Sequence, residues 1–166
     1  MREVQQAIYR ELDNLYDEAK LYLEIWMGRI AEREVKRKNN KNNREFTNYS
    51  LSLEFNGNAF RIRWFRIQFV KNGEKTIRLA KAISVPKSHH YPPSSFSKAD
   101  DWELDLITQI EEGVSVIRKK VNYLMRAHKN VIGASSLDDE PLIASSCKER
   151  VQVTTKSIAK IKESLY

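Results

Sequence analysis

A chain of 166 residues, 41% of them hydrophobic, can bury a real core as one domain. Its single cysteine, Cys147, excludes an internal disulfide and a cysteine-based zinc site; no stretch approaches the ~20 apolar residues of a spanning helix, so a cytoplasmic protein without a membrane partner is expected. The net charge of +7 is unevenly placed, with thirteen basic residues against three acidic ones over positions 36–90 while 1–35 and 91–140 are each net −3, a concentration that points to a polyanion.

Residues 2–35 read as one long helix. Ile8, Leu12, Leu15, Ala19, Tyr22, Trp26 and Ile30 recur at steps of three and four, with no proline among them. The stripe suits packing on a sheet or a homodimer seam. The run Lys36-Arg-Lys-Asn-Asn-Lys-Asn-Asn-Arg44 holds neither an acid nor a hydrophobe, so it reads as a flexible basic loop at 36–44.

A three-stranded antiparallel meander follows, marked by Asn56-Gly57 and Asn72-Gly73 between alternating hydrophobics. A two-residue loop at Asn56-Gly57 pairs Leu53 with Phe60, Leu51 with Ile62 and Tyr49 with Trp64, and sets Ser52 against Arg61 and Ser50 against Arg63. The middle strand then breaks phase, because Phe60, Ile62 and Trp64 are even and Phe65, Ile67 and Phe69 are odd. A β-bulge at Trp64-Phe65 would repair the break, putting both residues on the core side and keeping Arg61, Arg63, Arg66 and Gln68 together with Arg78. The second loop is then odd, three residues around Gly73. Lys81 fits worst, falling in the apolar phase. One sheet face is thus apolar. The other is rich in arginine with only Glu54 as an acid, and suits either solvent or the phosphates and base edges of nucleic acid.

Three prolines and several serines make 86–97 irregular. Ser97 with Asp100 reads as a capping box for a helix from about Lys98 to about Lys129, whose buried stripe is Trp102, Leu106, Ile110, Val114, Ile117, Val121 and Leu124. The acids at its start match the helix dipole without invoking catalysis. Gly113 inside it allows a bend or close packing. A linker at 130–140 precedes a last helix from Pro141 to about Leu165, with a weak point at the β-branched Val151-Gln-Val-Thr-Thr155.

His89-His90-Tyr91 is the one local grouping that could serve metal or nucleophilic chemistry. The two histidines are consecutive in a proline-rich loop, however, and not alternate on a strand, which favours local packing or a partner contact. No phosphate-cradling glycine loop or nucleophile elbow occurs. An enzyme is therefore not expected, and neither catalytic residues, a cofactor nor a metal are assigned.

Phe60-Arg-Ile-Arg-Trp-Phe-Arg66, then Asn72-Gly73, Tyr91, Phe96 and Trp102-Glu103 opening a helix resemble MobI-type conjugative transfer proteins, over roughly residues 45–130. The resemblance implies an auxiliary factor that binds an origin of transfer and assists a relaxase, with no catalytic residues to carry over.

The expected architecture is α+β, in one DNA-binding domain over 1–166: a long N-terminal helix, a three-stranded antiparallel meander, and two C-terminal helices packed on its apolar face. The expected partner is double-stranded DNA, contacted by Arg61, Arg63, Arg66, Gln68 and Arg78 on the sheet, by Lys36, Arg37, Lys38, Lys41 and Arg44 in the basic loop, and by Lys87. The alternatives are an adaptor whose basic face meets an acidic protein, and a His-dependent nuclease.

Overall fold

The computed structural model describes residues 1–39 and 47–166. Helix α1 (Arg2–Asn39) is followed by strands β1 (Tyr49–Asn56), β2 (Ala59–Asn72) and β3 (Lys75–Ala82) in a sheet of order β1-β2-β3. A 3-10 turn (Pro93–Phe96) leads into α2 (Asp101–Ser135), and the chain continues through the short helices α3 (Cys147–Arg150) and α4 (Ile158–Ser164). The α+β class, the long first helix and the antiparallel meander are those read from the sequence.

α1 runs four residues further than the 2–35 read from the sequence. Lys36, Arg37 and Lys38 form its last turn and are not part of a loop. Lysine and arginine are good helix formers, and cations at a helix C-terminus are favoured by the dipole, so the lack of hydrophobes did not end the helix. Ile8, Leu12, Leu15, Ala19, Trp26 and Ile30 are all buried within the same chain, which removes the dimer seam considered for this stripe.

α1 and α2 lie against each other and share the cover of the sheet's apolar face. Their close approach is set at Gly113, where a Cβ would overlap the Tyr22 ring. This is the close packing among the two roles read for that glycine. The expected capping box is absent: Asp100 is the N-cap and makes no side-chain cap bond. α2 also runs on to Ser135.

Residues 141–165 do not form the one helix expected from Pro141. An extended stretch over 151–157 separates α3 from α4, at the β-branched run that the sequence marks as weak. α4 lies along α1, and the segment before it is tied to the β1–β2 turn and to α1. Cys147 N donates to the Gly57 carbonyl (3.0 Å), Arg150 Nη2 donates to the Asn58 carbonyl (2.7 Å), and Arg150 pairs with Asp13 (3.0 Å).

The sheet register differs from the one read off the loops. Leu53 pairs with Ile62, Leu51 with Trp64 and Tyr49 with Arg66, and the closing pair is Asn56 with Ala59. The two-residue loops are Gly57-Asn58 and Gly73-Glu74. In both the glycine stands first with positive φ (+59° and +64°), while Asn58 and Glu74 have none, the type II′ pattern and not the type I′ turn usual for Asn-Gly. The shift is two residues, so β1 and the first half of β2 keep their faces. The second loop also has two residues, not three.

The β1–β2 ladder runs without interruption through Trp64 and Phe65, and the β2–β3 ladder runs without interruption from Phe65 onward, so there is no bulge. Trp64 is fully buried on the helix side, and Phe65 projects half-buried from the opposite face. The phase break is therefore real: the apolar side of β2 changes where the strand leaves the core.

At the start of β1, the buried Glu103 carboxylate accepts hydrogen bonds from the backbone N–H groups of Asn48 (2.9 Å) and Tyr49 (3.0 Å), fastening the strand to the first turn of α2. Burial pushes this carboxyl up to about 7, against the lowering effect of those bonds. A raised acid stabilises the fold below its unfolded pKa of about 4.3, and that stability is lost as pH rises to the folded value. Wild type should therefore lose stability between about pH 4 and pH 7 at up to about 1.4 kcal/mol per pH unit from this group. Glu103→Gln should remove that component in denaturant unfolding at a series of pH values; an unchanged slope would assign it to other groups.

Candidate nucleic-acid interface

β1 pairs with β2 only as far as Arg66, and the remaining residues of β2 pair with β3 alone. The far half of β2 and β3 thus form a two-stranded ribbon beyond the core, because β2 has 14 residues and β1 has eight. Lys75–Lys81 and Phe69–Asn72 are exposed throughout.

Register fixes which cations share a face. Arg61, Arg63, Phe65, Ile67 and Phe69 alternate along one face of β2, and Arg78 joins them opposite Phe69. Arg66 and Gln68 lie on the other face, that of Trp64, and not with Arg61 and Arg63 as the bulge would have required. Lys81, the residue that fitted worst, stands directly opposite Arg66. Like charges directly opposite each other across a ladder are destabilising. Among the described residues neither cation has an acidic partner. Ion pairs instead occupy other cations: Arg63 donates through Nε (2.7 Å) and Nη2 (3.0 Å) to Glu54, which holds the Glu54 carboxyl below its usual range.

The remaining site residues are dispersed. Lys36 lines a cavity of about 250 Å³ with Arg29, Arg33 and Trp102, and Lys38 lies over the Tyr166 ring at 5.2 Å. Lys87 is exposed in the turn after β3. Lys41 and Arg44 lie outside the described residues. The ribbon adds Lys71 and Lys75, which sequence reasoning passed over; with Arg78, and with Arg66 and Lys81 at its root, five cations stand against a single acid, Glu74. The signal was present in the excess length of the middle strand.

Beneath the sheet is a buried polar cluster, also missed. Glu111 on α2 accepts from Trp64 Nε1 (2.7 Å) and Tyr91 N (3.1 Å), and from Arg118 Nη1 (2.9 Å) and Nη2 (2.6 Å). Arg118 also donates to the carbonyls of Ile62 (2.8 Å) and His89 (3.0 Å). His89 holds a left-handed φ of 62°, a conformation costly for a residue with a side chain, and its carbonyl points to Arg118. Tyr91 is buried, and its hydroxyl donates to the Ile83 carbonyl at 2.8 Å. The His-His-Tyr segment therefore locks the return from β3 onto α2. Glu111 and Arg118 are seven residues apart, two turns on one helix face.

The family model described as MobI protein matches residues 15–132. The chain belongs to the MobI family. Membership makes it a conjugative mobilization protein, and the matched span takes in most of α1, the whole sheet and nearly all of α2. No curated protein and no solved structure matches it. Among the described residues no helix is long and apolar enough to cross a membrane.

Proposed function

We propose that this MobI-family protein is a non-enzymatic, cytoplasmic double-stranded DNA-binding factor that acts at an origin of transfer and assists a relaxase, with the β2–β3 ribbon as its main DNA contact. The observation that carries this reading is Arg66 directly opposite Lys81, at the root of a projecting ribbon whose own cations are Arg78, Lys71 and Lys75. A phosphate between two opposed cations turns an unfavourable pairing into a favourable one, and neutralised phosphates release counterions. Arg61 shares the face of Arg78, opposite to that of Arg66 and Lys81, so both faces carry cations. Arg63 is spent on Glu54, so it shapes the face more than it binds. The buried acids Glu103 and Glu111 are consumed in holding β1 and the sheet to α2, which supports a binding role and not a catalytic one.

A second reading has an observation of its own. Phe69 (61% exposed), Leu79 (47%) and Ile77 (41%) are large apolar residues on the same ribbon, as a protein contact would require. Binding across a salt series separates the two. Wild type should bind duplex DNA, more tightly when it carries the cognate transfer origin, with affinity falling steeply with salt. Arg66→Ala and Arg78→Ala should each flatten the slope of log K against log salt by about 0.9 for every phosphate that is no longer neutralised. Arg63→Ala should change it less. Salt-independent binding, or none, would move the protein-contact reading ahead.

A further inference from the structure

We propose that the protein is a two-fold dimer in which β3 of one copy pairs antiparallel with β3 of a second, joining two three-stranded sheets into one of six strands. β3 is an edge strand: among the described residues β2 is its only ladder partner, and Lys75–Lys81 are all exposed. Such an edge offers a row of unpaired backbone groups to another strand.

The ladder says which groups these are. Ile83 N donates to the Trp64 carbonyl at 2.9 Å, and Asn72 with Lys75 closes the hairpin. Hydrogen-bonded pairs alternate along an antiparallel ladder, so Lys75, Ile77, Leu79 and Lys81 turn their N–H and C=O toward β2. Thr76, Arg78, Ala80 and Ala82 turn theirs outward.

Two-fold symmetry keeps each face with itself, so only residues of like parity can oppose each other across the new ladder. Side-chain chemistry then selects the register. Centring the axis on Arg78 would oppose Arg78 to itself and Lys75 to Lys81, both like-charge pairs. Moving the axis one residue to Leu79 opposes Leu79 to itself, Arg78 to Ala80, Ile77 to Lys81 and Thr76 to Ala82. No charge then faces its like, and the overlap is the longest register in β3 that meets this condition. The exposed Leu79 and Ile77 become covered, Ile77 by the aliphatic stem of Lys81. The four outward-facing residues meet only one another, as hydrogen-bonded pairs. Leu79 against Leu79 is a non-hydrogen-bonded pair, with Cα atoms about 4.5 Å apart. The partner is thus a second copy of this chain, and the inference stands without the DNA reading.

Three measurements in the absence of DNA test it. Sedimentation equilibrium should give twice the 19.5 kDa chain mass. Ala80→Pro should return the monomer mass with an unchanged circular dichroism spectrum, since its N–H points outward and proline is tolerated at such edge positions. Leu79→Cys should form a disulfide-linked dimer on mild oxidation, its partner being within bridging distance, while Arg78→Cys, opposite alanine, should cross-link at least tenfold more slowly. Cys147 is fully buried, with burial pushing its thiol up to about 11, and does not compete. A monomer mass at a hundred micromolar protein would overturn the proposal. So would a dimer that survives Ala80→Pro, or equal cross-linking at positions 78 and 79.

Discussion

Arg118→Met should lower the unfolding free energy by about 3–5 kcal/mol, the cost of leaving a buried charge without its partner. Arg118 and Glu111 are both almost inaccessible, and their 2.6 Å contact is one of four hydrogen bonds that Arg118 makes. Removing the guanidinium leaves the Glu111 carboxylate with the Trp64 and Tyr91 N–H donors and the half-exposed His90 imidazole 3.8 Å away, and it leaves the Ile62 and His89 carbonyls without that donor. The backbone of His89 should also relax, because nothing then holds its carbonyl and its left-handed φ in place. Glu111→Gln combined with Arg118→Met should recover part of the loss, since the glutamine oxygen still accepts from Trp64 Nε1 and no isolated charge remains. Denaturant unfolding of the two singles and the double checks this. A single variant within about 1 kcal/mol of wild type would mean that water reaches the pair.

Trp64→Ala should cost about 3–5 kcal/mol from packing alone. The indole lies edge-on to Trp26 of α1 (6.1 Å between ring centroids) and to Phe96 of the 3-10 turn (5.6 Å), so it joins the sheet to both. Its Nε1 also anchors Glu111, and truncation leaves that carboxylate one donor short. Trp64→Phe separates the two contributions: it keeps most of the buried ring and should cost about 1–3 kcal/mol for the unmet hydrogen bond. If both variants lose equal stability, the hydrogen bond and not the packing dominates at this position.

Much of this core is legible in the sequence. Steps of three and four name most of the buried side chains of α1 and, on α2, Ile110, Val114, Ile117 and Val121, though Tyr22, Trp102, Leu106 and Leu124 are only half-buried and the buried Ile107 was not named; the parity of Phe60, Ile62 and Trp64 names the face they cover. Period-2 patterning is blind to a two-residue slip, so the true register had to come from which loop residue takes positive φ. Asn-Gly favours a reading with glycine second in the loop, and both turns place it first. The bulge was inferred on the premise that apolar residues stay on one side. That premise fails once a strand runs past its neighbour: beyond Arg66 there is no core to face. Glu103, Glu111 and Arg118 fall on the helical stripe among isoleucines and valines, where their spacing alone looks like ordinary dipole-matched charge. Their partners, the start of β1, Trp64 and the loop at His89, are distant in sequence, and only tertiary structure brings them together. The cationic ribbon was half visible, as a run of arginines whose grouping depended on the register.

That the ribbon is the DNA-contacting surface is tested most directly by cleavage from a tethered reagent. With Cys147 buried, Asn72→Cys at the exposed ribbon tip and Val116→Cys on the exposed side of α2 can each be labelled alone with an iron chelate that cuts nearby DNA. On a duplex carrying the transfer origin, the label at position 72 should give a localised cleavage pattern that fades as salt rises, and the label at 116 should give little. Strong cleavage from position 116 with none from position 72 would contradict the assignment and move the DNA surface to the helices.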